Sequence, residues 1–347
     1  MKNSTDAGNT GRAFTGKSNL KALLLVPSEL AGCIRRKGFR RLTPTAIMEL
    51  AAPQTWGASV MPVILAASLA LVSGTWMPNN FHSVALFFSL LATSVCLQCA
   101  VNTLNDYADF MSGVDRKENC IDPSDASIVY HDYEPVLAFV IGGGFILLAI
   151  VCGLYALFTV GPELLIFGAI GAGVVVAYTF GLLPLSYTST GEFVSGFVMG
   201  GIIPLACYYA FTKTLSFEIL IYAIPLIITI ALIMLTNNTS DIEKDAANDR
   251  MTFAARIGRK NAVRVHVVLF VIAMAVVGVI VFMYYPGSVW LLPFFAILLI
   301  LMEIRLIQGG ISPEKRILSM TMITGINIRL NAIYCAMIIL SLLKGGN

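Results

Sequence analysis

Residues 217–250 read FEILIYAIPLIITIALIMLTNNTSDIEKDAANDR. Two different segments follow one another here. The run 217–236 is almost wholly apolar and has roughly the 20 residues a helix needs to cross the hydrocarbon core of a bilayer. Asn237 and Asn238 then open a polar segment in which Asp241 and Asp245 stand four apart, so that both carboxylates share one helical face. The stretch reads as a spanning helix that ends in an acidic cluster.

The apolar run is one of nine, centred on 54–74, 83–104, 135–157, 161–182, 191–211, 217–236, 262–284, 288–304 and 326–343. Each is long and continuous, unlike the short alternating segments of a membrane β-barrel. Of 347 residues, 57% are hydrophobic and 12% charged, against about 25% charged in a soluble domain. The predicted fold is therefore all-α: one polytopic membrane bundle of about nine transmembrane helices over residues 44–347. A basic segment, 1–43, precedes it.

Charge placement orients the bundle. Lys2, Arg12, Lys17, Lys21, Arg35, Arg36, Lys37, Arg40 and Arg41 face only Asp6 and Glu29 in the first 43 residues. The positive-inside rule assigns that end to the cytoplasm. The predicted inner loops carry Lys244, Arg250, Arg259, Arg316 and others, while the outer ones carry Lys213 and little else basic. Residues 1–20 are polar and read as disordered, and 21–43 as a basic helix on anionic lipid. A cleavable leader is not expected. The seven cysteines lie mostly inside apolar runs and do not suggest a disulfide framework. The Cys96–Cys99 spacing reads as small packing residues. The expected setting is a bacterial plasma membrane, with no nucleic-acid partner.

A second acidic cluster lies at the inner end of the second run: Asn102, Asn105, Asp106, Asp109, Gly113 and Asp115. Asn105 and Asp109 share a helical face. Gly113 can end the helix and turn Asp115 back toward Asp109. Like charges four apart destabilise a helix by a few tenths of a kcal/mol, and a carboxylate at the bilayer centre costs up to about 3 kcal/mol. A bound cation removes both penalties. Ligands that are all oxygen, without His or Cys, suit Mg²⁺, which typically takes one or two carboxylates plus phosphate oxygens and water. Two facing clusters can therefore hold Mg²⁺ ions with a diphosphate between them. The competing reading is a pair of solvated helix-end clusters.

At these residues the chain resembles the UbiA superfamily of membrane prenyltransferases. Asn105 and Asp109 match its N-x-x-x-D motif after the second helix, and Asp241 and Asp245 its D-x-x-x-D motif after the sixth. The form around Asn105 and Asp106, Asn237-Asn238, Thr252, and the segment Tyr178…Pro184…Tyr187…Glu192 are similar to the menaquinone branch, which prenylates 1,4-dihydroxy-2-naphthoate. The likeness covers roughly residues 46–343. Departures stand at Ala52, Gln54, Ser240, Ala246 and Asp249, where that branch carries basic residues or glycine.

The resemblance implies a polyprenyl diphosphate donor, an aromatic acceptor and Mg²⁺ held by Asp109, Asp115, Asp241 and Asp245. Asn105, Asn237 and Asn238 would complete coordination or bind diphosphate. Arg250 and Lys117 would add positive charge, or are ordinary inside-facing charge. Tyr178 would stabilise an allylic cation with its ring, or is an interfacial belt residue. Glu192 would act near the acceptor or be a structural partner. Asn327, Arg329 and Asn331 fall in the last run, where the arginine snorkels or serves function. Alternatives are an ion-coupled transporter, a UbiA-like enzyme with another acceptor, and a weakened homologue, the last motivated by the missing basic residues.

Overall fold

An apolar chain in lipid can satisfy its backbone N–H and C=O groups only within helices or closed barrels, and this chain takes the helical solution. The computed structural model describes residues 40, 43–115, 126–179 and 184–344. The basic segment before residue 40, together with Arg41 and Lys117, lies outside them. In chain order the helices are α1 (Pro44–Ala51), α2 (Gly57–Val72), α3 (Phe81–Ser112), α4 (Ser127–His131), α5 (Pro135–Val160), α6 (Leu164–Thr179) and α7 (Gly191–Thr212). There follow α8 (Ile219–Ser240), α9 (Ile242–Ala247), α10 (Phe253–Ile257), α11 (Arg259–Tyr284), α12 (Pro286–Gly309) and α13 (Arg316–Lys344).

The expected count of nine spans is approximate. Among the described residues seven helices are long and apolar enough to cross a membrane, and an eighth joins them if α1 and α2, bent by 54° at their junction, form one span. The run read at 161–182 yields α6, of 16 residues. Gly161, at φ +136°, and Pro162 hold back its start.

The α1–α2 break follows from local chemistry. Pro53 stops α1, and Ala52 turns left-handed at φ 48°. The Ala51 carbonyl freed there finds a partner on α3: Asn102 Nδ2 donates to Ala51 O at 3.1 Å, and also to the Thr55 hydroxyl at 2.9 Å. Gln98 Nε2 in turn donates to Asn102 Oδ1 at 3.0 Å. Asn102 is thus committed to holding the break.

Helix α3 begins at Asn80, whose side chain accepts from Ser83 N at 2.9 Å, and ends at Gly113 in the left-handed region (φ 75°). Its 32 residues make about 48 Å at 1.5 Å per residue. That exceeds the hydrocarbon thickness, so its polar last turns reach the membrane surface.

Helices α8 and α13 are the most enclosed. They pack on each other, α8 also against α7 and α11, and α13 also against α2. Close approach of α7 to α8 depends on Gly196 and Gly200. A Cβ on Gly200 would lie 2.5 Å from the Ile227 Cα, and one on Gly196 2.7 Å from the Ile227 carbonyl oxygen. Small residues four apart allow such backbone contact between membrane helices. Polar ties add specificity inside the bundle. Asn327 and Asn331 on α13 both donate to Thr229 Oγ1 on α8, at 2.8 and 3.0 Å. His266 on α11 meets Glu303 on α12 at 3.2 Å, and Thr236 Oγ1 on α8 lies 3.3 Å from His266 Nδ1. Arg329 points outward instead and bonds the Gly325 carbonyl at 3.2 Å. Large apolar side chains such as Phe158, Phe282 and Phe294 cover the exposed flanks.

Replacing Gly200 by Leu must push α7 off the α8 backbone, and overpacking of this kind costs about 1–3 kcal/mol or more. Thermal denaturation in detergent should show Gly200→Leu clearly destabilised. Gly278→Leu, where nothing lies within 4 Å of an added Cβ, should match the parent; equal melting of the two variants would refute the close-packing account.

Candidate active site

Both acidic clusters lie at the same end of the bundle. At the end of α3, Asn105 Nδ2 donates to Asp109 Oδ2 at 3.1 Å, one helical turn apart. Gly113 then reverses the chain, so that the Val114 and Asp115 amides both donate to the Asp109 carbonyl, at 3.0 and 3.2 Å. This is the fold-back predicted from the glycine. At the end of α8 the chain bends at Asp241 and continues as α9, which carries Lys244 and Asp245. Asp249, at φ 55°, turns it again and presents Arg250. Thr252 caps α10 and also donates to Asp245 Oδ2 at 3.1 Å.

Three basic side chains join the clusters. Arg250 lies between them, 3.6 Å from Asp109 Oδ2 and 3.6 Å from Asp245 Oδ1. Lys244 Nζ is 2.7 Å from Asp115 Oδ1. Arg316, at the start of α13, places Nε 3.2 Å from Asp241 Oδ1 and donates through Nη2 to Asn237 Oδ1 at 2.6 Å. Two of these contacts cross from one cluster to the other, and one reaches 75 residues along the chain.

The groups are mostly enclosed: Asp245 is 2%, Asp115 5% and Asp241 9% exposed. Burial pushes the Asp245 carboxyl up to about 7, with Arg250 opposing and Asp241 adding to the rise. Burial alone would lower the Arg250 guanidinium, but Asp109 and Asp245 outweigh it and hold Arg250 above its ordinary value. The guanidinium also covers the Tyr187 ring at 4.9 Å, a cation–π contact. Its Nε is buried and makes no hydrogen bond, a donor suited to an anion. Tyr178, at the end of α6, lies within electrostatic range of Arg250, Glu192, Asp109 and Asp245.

The structure brings Asn105, Asp109, Asp115, Asn237, Asp241, Asp245 and Arg250 to one end of the bundle, with Tyr178 nearby. Asn238 is engaged elsewhere: its amide donates to Glu192 Oε1 at 2.8 Å, and the same oxygen accepts from Phe253 N at 3.1 Å. Glu192 thus ties α7 to α8 and to the start of α10. Sequence reading missed Lys244 and Arg316 as members of the cluster. Lys244, inside the acidic motif, was available to it; nothing local marks Arg316. Among the described residues no three His, Cys, Asp or Glu side chains are grouped to hold an ion by themselves.

A lipid-embedded helical bundle with acids and bases interleaved in a buried cluster at one end defines a polytopic membrane protein with an enclosed polar site. The model of the UbiA prenyltransferase family matches residues 59–322, and the chain belongs to that family of prenyltransferases. It is 30% identical over 239 residues to a 1,4-dihydroxy-2-naphthoate octaprenyltransferase of Bacillus subtilis, covering 68% of this chain and 73% of that one. It is also 30% identical over 215 residues to a UbiA prenyltransferase domain-containing protein 1 homolog of Drosophila melanogaster, covering 60% and 56%. Among solved structures it is similar to a UbiA homolog from Archaeoglobus fulgidus bound to DMAPP and Mg²⁺. That likeness has a TM-score of 0.57 and 11% identity, over 84% of this chain and 99% of the other.

Breaking a buried ion pair from one side strands a charge and costs about 3–5 kcal/mol. With a chelator present, Lys244→Met should lower thermal stability by about that much, and adding Asp115→Asn should restore most of it. Independent, additive losses in the two single variants would show that the pair is not coupled.

Proposed function

We propose that the chain catalyses Mg²⁺-dependent transfer of a polyprenyl group from its diphosphate to the ring of 1,4-dihydroxy-2-naphthoate, the step that commits the ring to menaquinone. One observation carries this reading: four carboxylates and three basic side chains share one enclosed cluster at the end of a lipid-embedded bundle. The naphthoate acceptor is supported by the name of the Bacillus subtilis relative. Mg²⁺ and an allylic diphosphate are supported by the ligands of the archaeal homolog.

The donor set fits the metal. Asp109, Asp115, Asp241 and Asp245 offer hard oxygen ligands, with Asn105 beside them, and Mg²⁺ takes few protein ligands when phosphate and water supply the rest. Bound there, Mg²⁺ would neutralise charge on the leaving diphosphate and so weaken the allylic C–O bond.

The chain's own groups do the remaining work. Arg250, Lys244 and Arg316 now face carboxylates; with a cation on those carboxylates, the same donors are free to bind diphosphate oxygens. Lys117 is proposed to add to them. When the C–O bond breaks, its electron pair leaves with the diphosphate. The Tyr178 ring face then steadies the allylic cation until the electron-rich acceptor ring attacks it; the new C–C bond forms at the ring carbon that bears the carboxylate, which leaves as CO2 so that the ring regains its aromaticity. Apolar helix walls exclude the water that would trap the cation, and the prenyl tail lies in hydrocarbon. The cluster is assigned to the cytoplasmic face by the positive-inside pattern. Ser240 stands where the menaquinone branch carries an arginine, yet Arg316 brings a guanidinium to the neighbouring Asp241, which favours an active enzyme over a weakened one.

Prenyl transfer should be assayed in membranes with dihydroxynaphthoate, 4-hydroxybenzoate and homogentisate, and with donors of several lengths. Dihydroxynaphthoate should react best, and EDTA should stop the reaction. Asp109→Asn and Asp241→Asn should each cut kcat by about 100-fold or more, the scale of losing a key electrostatic stabiliser. Wild-type turnover in both variants would end the mechanism, and inactivity of the parent with all three acceptors would end the assignment. Arg316→Gln should raise KM for the diphosphate by about tenfold, as expected for one charge-assisted hydrogen bond, with less effect on KM for the acceptor.

A further inference from the structure

We propose that the end of the bundle opposite the acidic cluster carries a binding site for an anionic phospholipid. The ends of α2, α3, α5 and α7 border an open hollow of about 350 Å³ there, lined among others by Trp76, Asn79, His82, Thr159 and Lys213. A second groove of about 320 Å³, between α2, α3 and α13, is lined by Ile64, Leu71, Val84, Phe88 and Ile339. Trp76 lines both. A hollow of mixed polar and apolar lining and a wholly apolar groove, joined at a single indole, match a ligand with a polar head and a hydrocarbon tail.

The polar side chains of the hollow offer donors. The Trp76 indole is fixed by Phe211 at 4.7 Å and Phe87 at 6.4 Å, and its Nε1–H is buried with no hydrogen-bond partner. A buried N–H without an acceptor costs free energy, and a ligand oxygen would remove that cost. Lys213 is held left-handed (φ 55°) at the end of α7, its own amide donating to the Tyr209 carbonyl at 2.7 Å. It makes no ion pair among the described residues. Asn79 already uses its carbonyl oxygen to accept from Asn80 Nδ2 at 3.1 Å, which leaves its amide N–H groups to donate. His82 Nδ1 is 3.0 Å from the Tyr155 hydroxyl, so its ring is fixed with Nε2 remaining. No Asp or Glu lines the hollow, so no carboxylate there would pair with the ammonium of a zwitterionic head. The chemistry selects a phosphodiester with net negative charge.

The groove takes the tail. From Ile64 to Leu71 it follows α2 for about 10 Å at 1.5 Å per residue, into the depth of the hydrocarbon. Phe88 and Val84 are exposed on its rim. Trp76 takes the interfacial place that suits an aromatic ring with one apolar face and one polar edge.

The test uses the full chain in nanodiscs of phosphatidylcholine, into which phosphatidylglycerol with brominated acyl chains is titrated. Bromine in the groove quenches Trp76; Trp56 and Trp290 supply a background measured with Trp76→Phe. The parent should show quenching at low mole fraction of brominated phosphatidylglycerol, and weaker quenching by brominated phosphatidylcholine. Trp76→Phe should remove the preferential part. Lys213→Gln should reduce the preference for the anionic lipid about fivefold, the scale for one lysine at an anionic lipid surface. Equal quenching by the two lipids, or an unchanged preference in Lys213→Gln, would overturn the proposal. Loss of the preference on adding millimolar inorganic phosphate would also overturn it, in favour of a soluble phosphate ligand.

Discussion

Buried negative charge is the constraint on which this structure turns. Asp115, Asp241 and Asp245 are nearly enclosed at the end of a bundle whose flanks are hydrocarbon. Their desolvation is not repaid by apolar packing, so each must be met by a positive group or a bound cation. In the protein alone, Lys244, Arg250 and Arg316 meet them. These cations come from α9, from the turn before α10 and from the start of α13. The same contacts that neutralise the acids therefore hold the helix ends in register. Site and fold share one set of interactions at that end of the molecule.

The rest of the bundle is built to leave that end undisturbed. In the membrane interior, helices gain little from apolar burial alone, and close packing and interhelical hydrogen bonds decide their arrangement. Gly196 and Gly200 let α7 lie on the α8 backbone. Thr229 gathers two asparagines from α13, and His266 with Glu303 ties α11 to α12 beside Thr236. All of these fix α8, the helix that delivers Asn237, Asn238 and Asp241. Glu192 completes the arrangement by accepting from Asn238 and from the Phe253 amide.

How far the sequence could be read follows from the range of the signals. Hydrophobic runs are local, so the spans were legible within a few residues. The exceptions are α6, shortened behind Gly161 and Pro162, and α13, which starts at Arg316, well before the apolar run read at 326–343. Spacing four along a helix is also local, so Asn105 with Asp109, and Asp241 with Asp245, could be paired from the page. The Gly113 turn was legible because a left-handed position has a residue signature. Arg316 was not, because its partner lies 75 residues away and an inner-loop arginine has an ordinary explanation in membrane topology. Two adjacent asparagines look alike in the sequence, yet Asn237 faces the cluster while one helical step turns Asn238 toward Glu192.

Charge balance links the geometry to the proposed chemistry. Four ionised carboxylates against three cations leave one net negative charge, and burial already draws Asp245 toward its neutral form near pH 7. A diphosphate trianion with two Mg²⁺ carries one net positive charge. Its entry would therefore bring the enclosed cluster to neutrality while letting all four carboxylates ionise. Neither component alone does so: free diphosphate would meet four acids, and metal alone would leave three cations facing it. Under the proposed function the cluster would take the metal–diphosphate pair as a unit, and Lys244, Arg250 and Arg316 would return to the carboxylates they hold in the protein alone once the diphosphate had left.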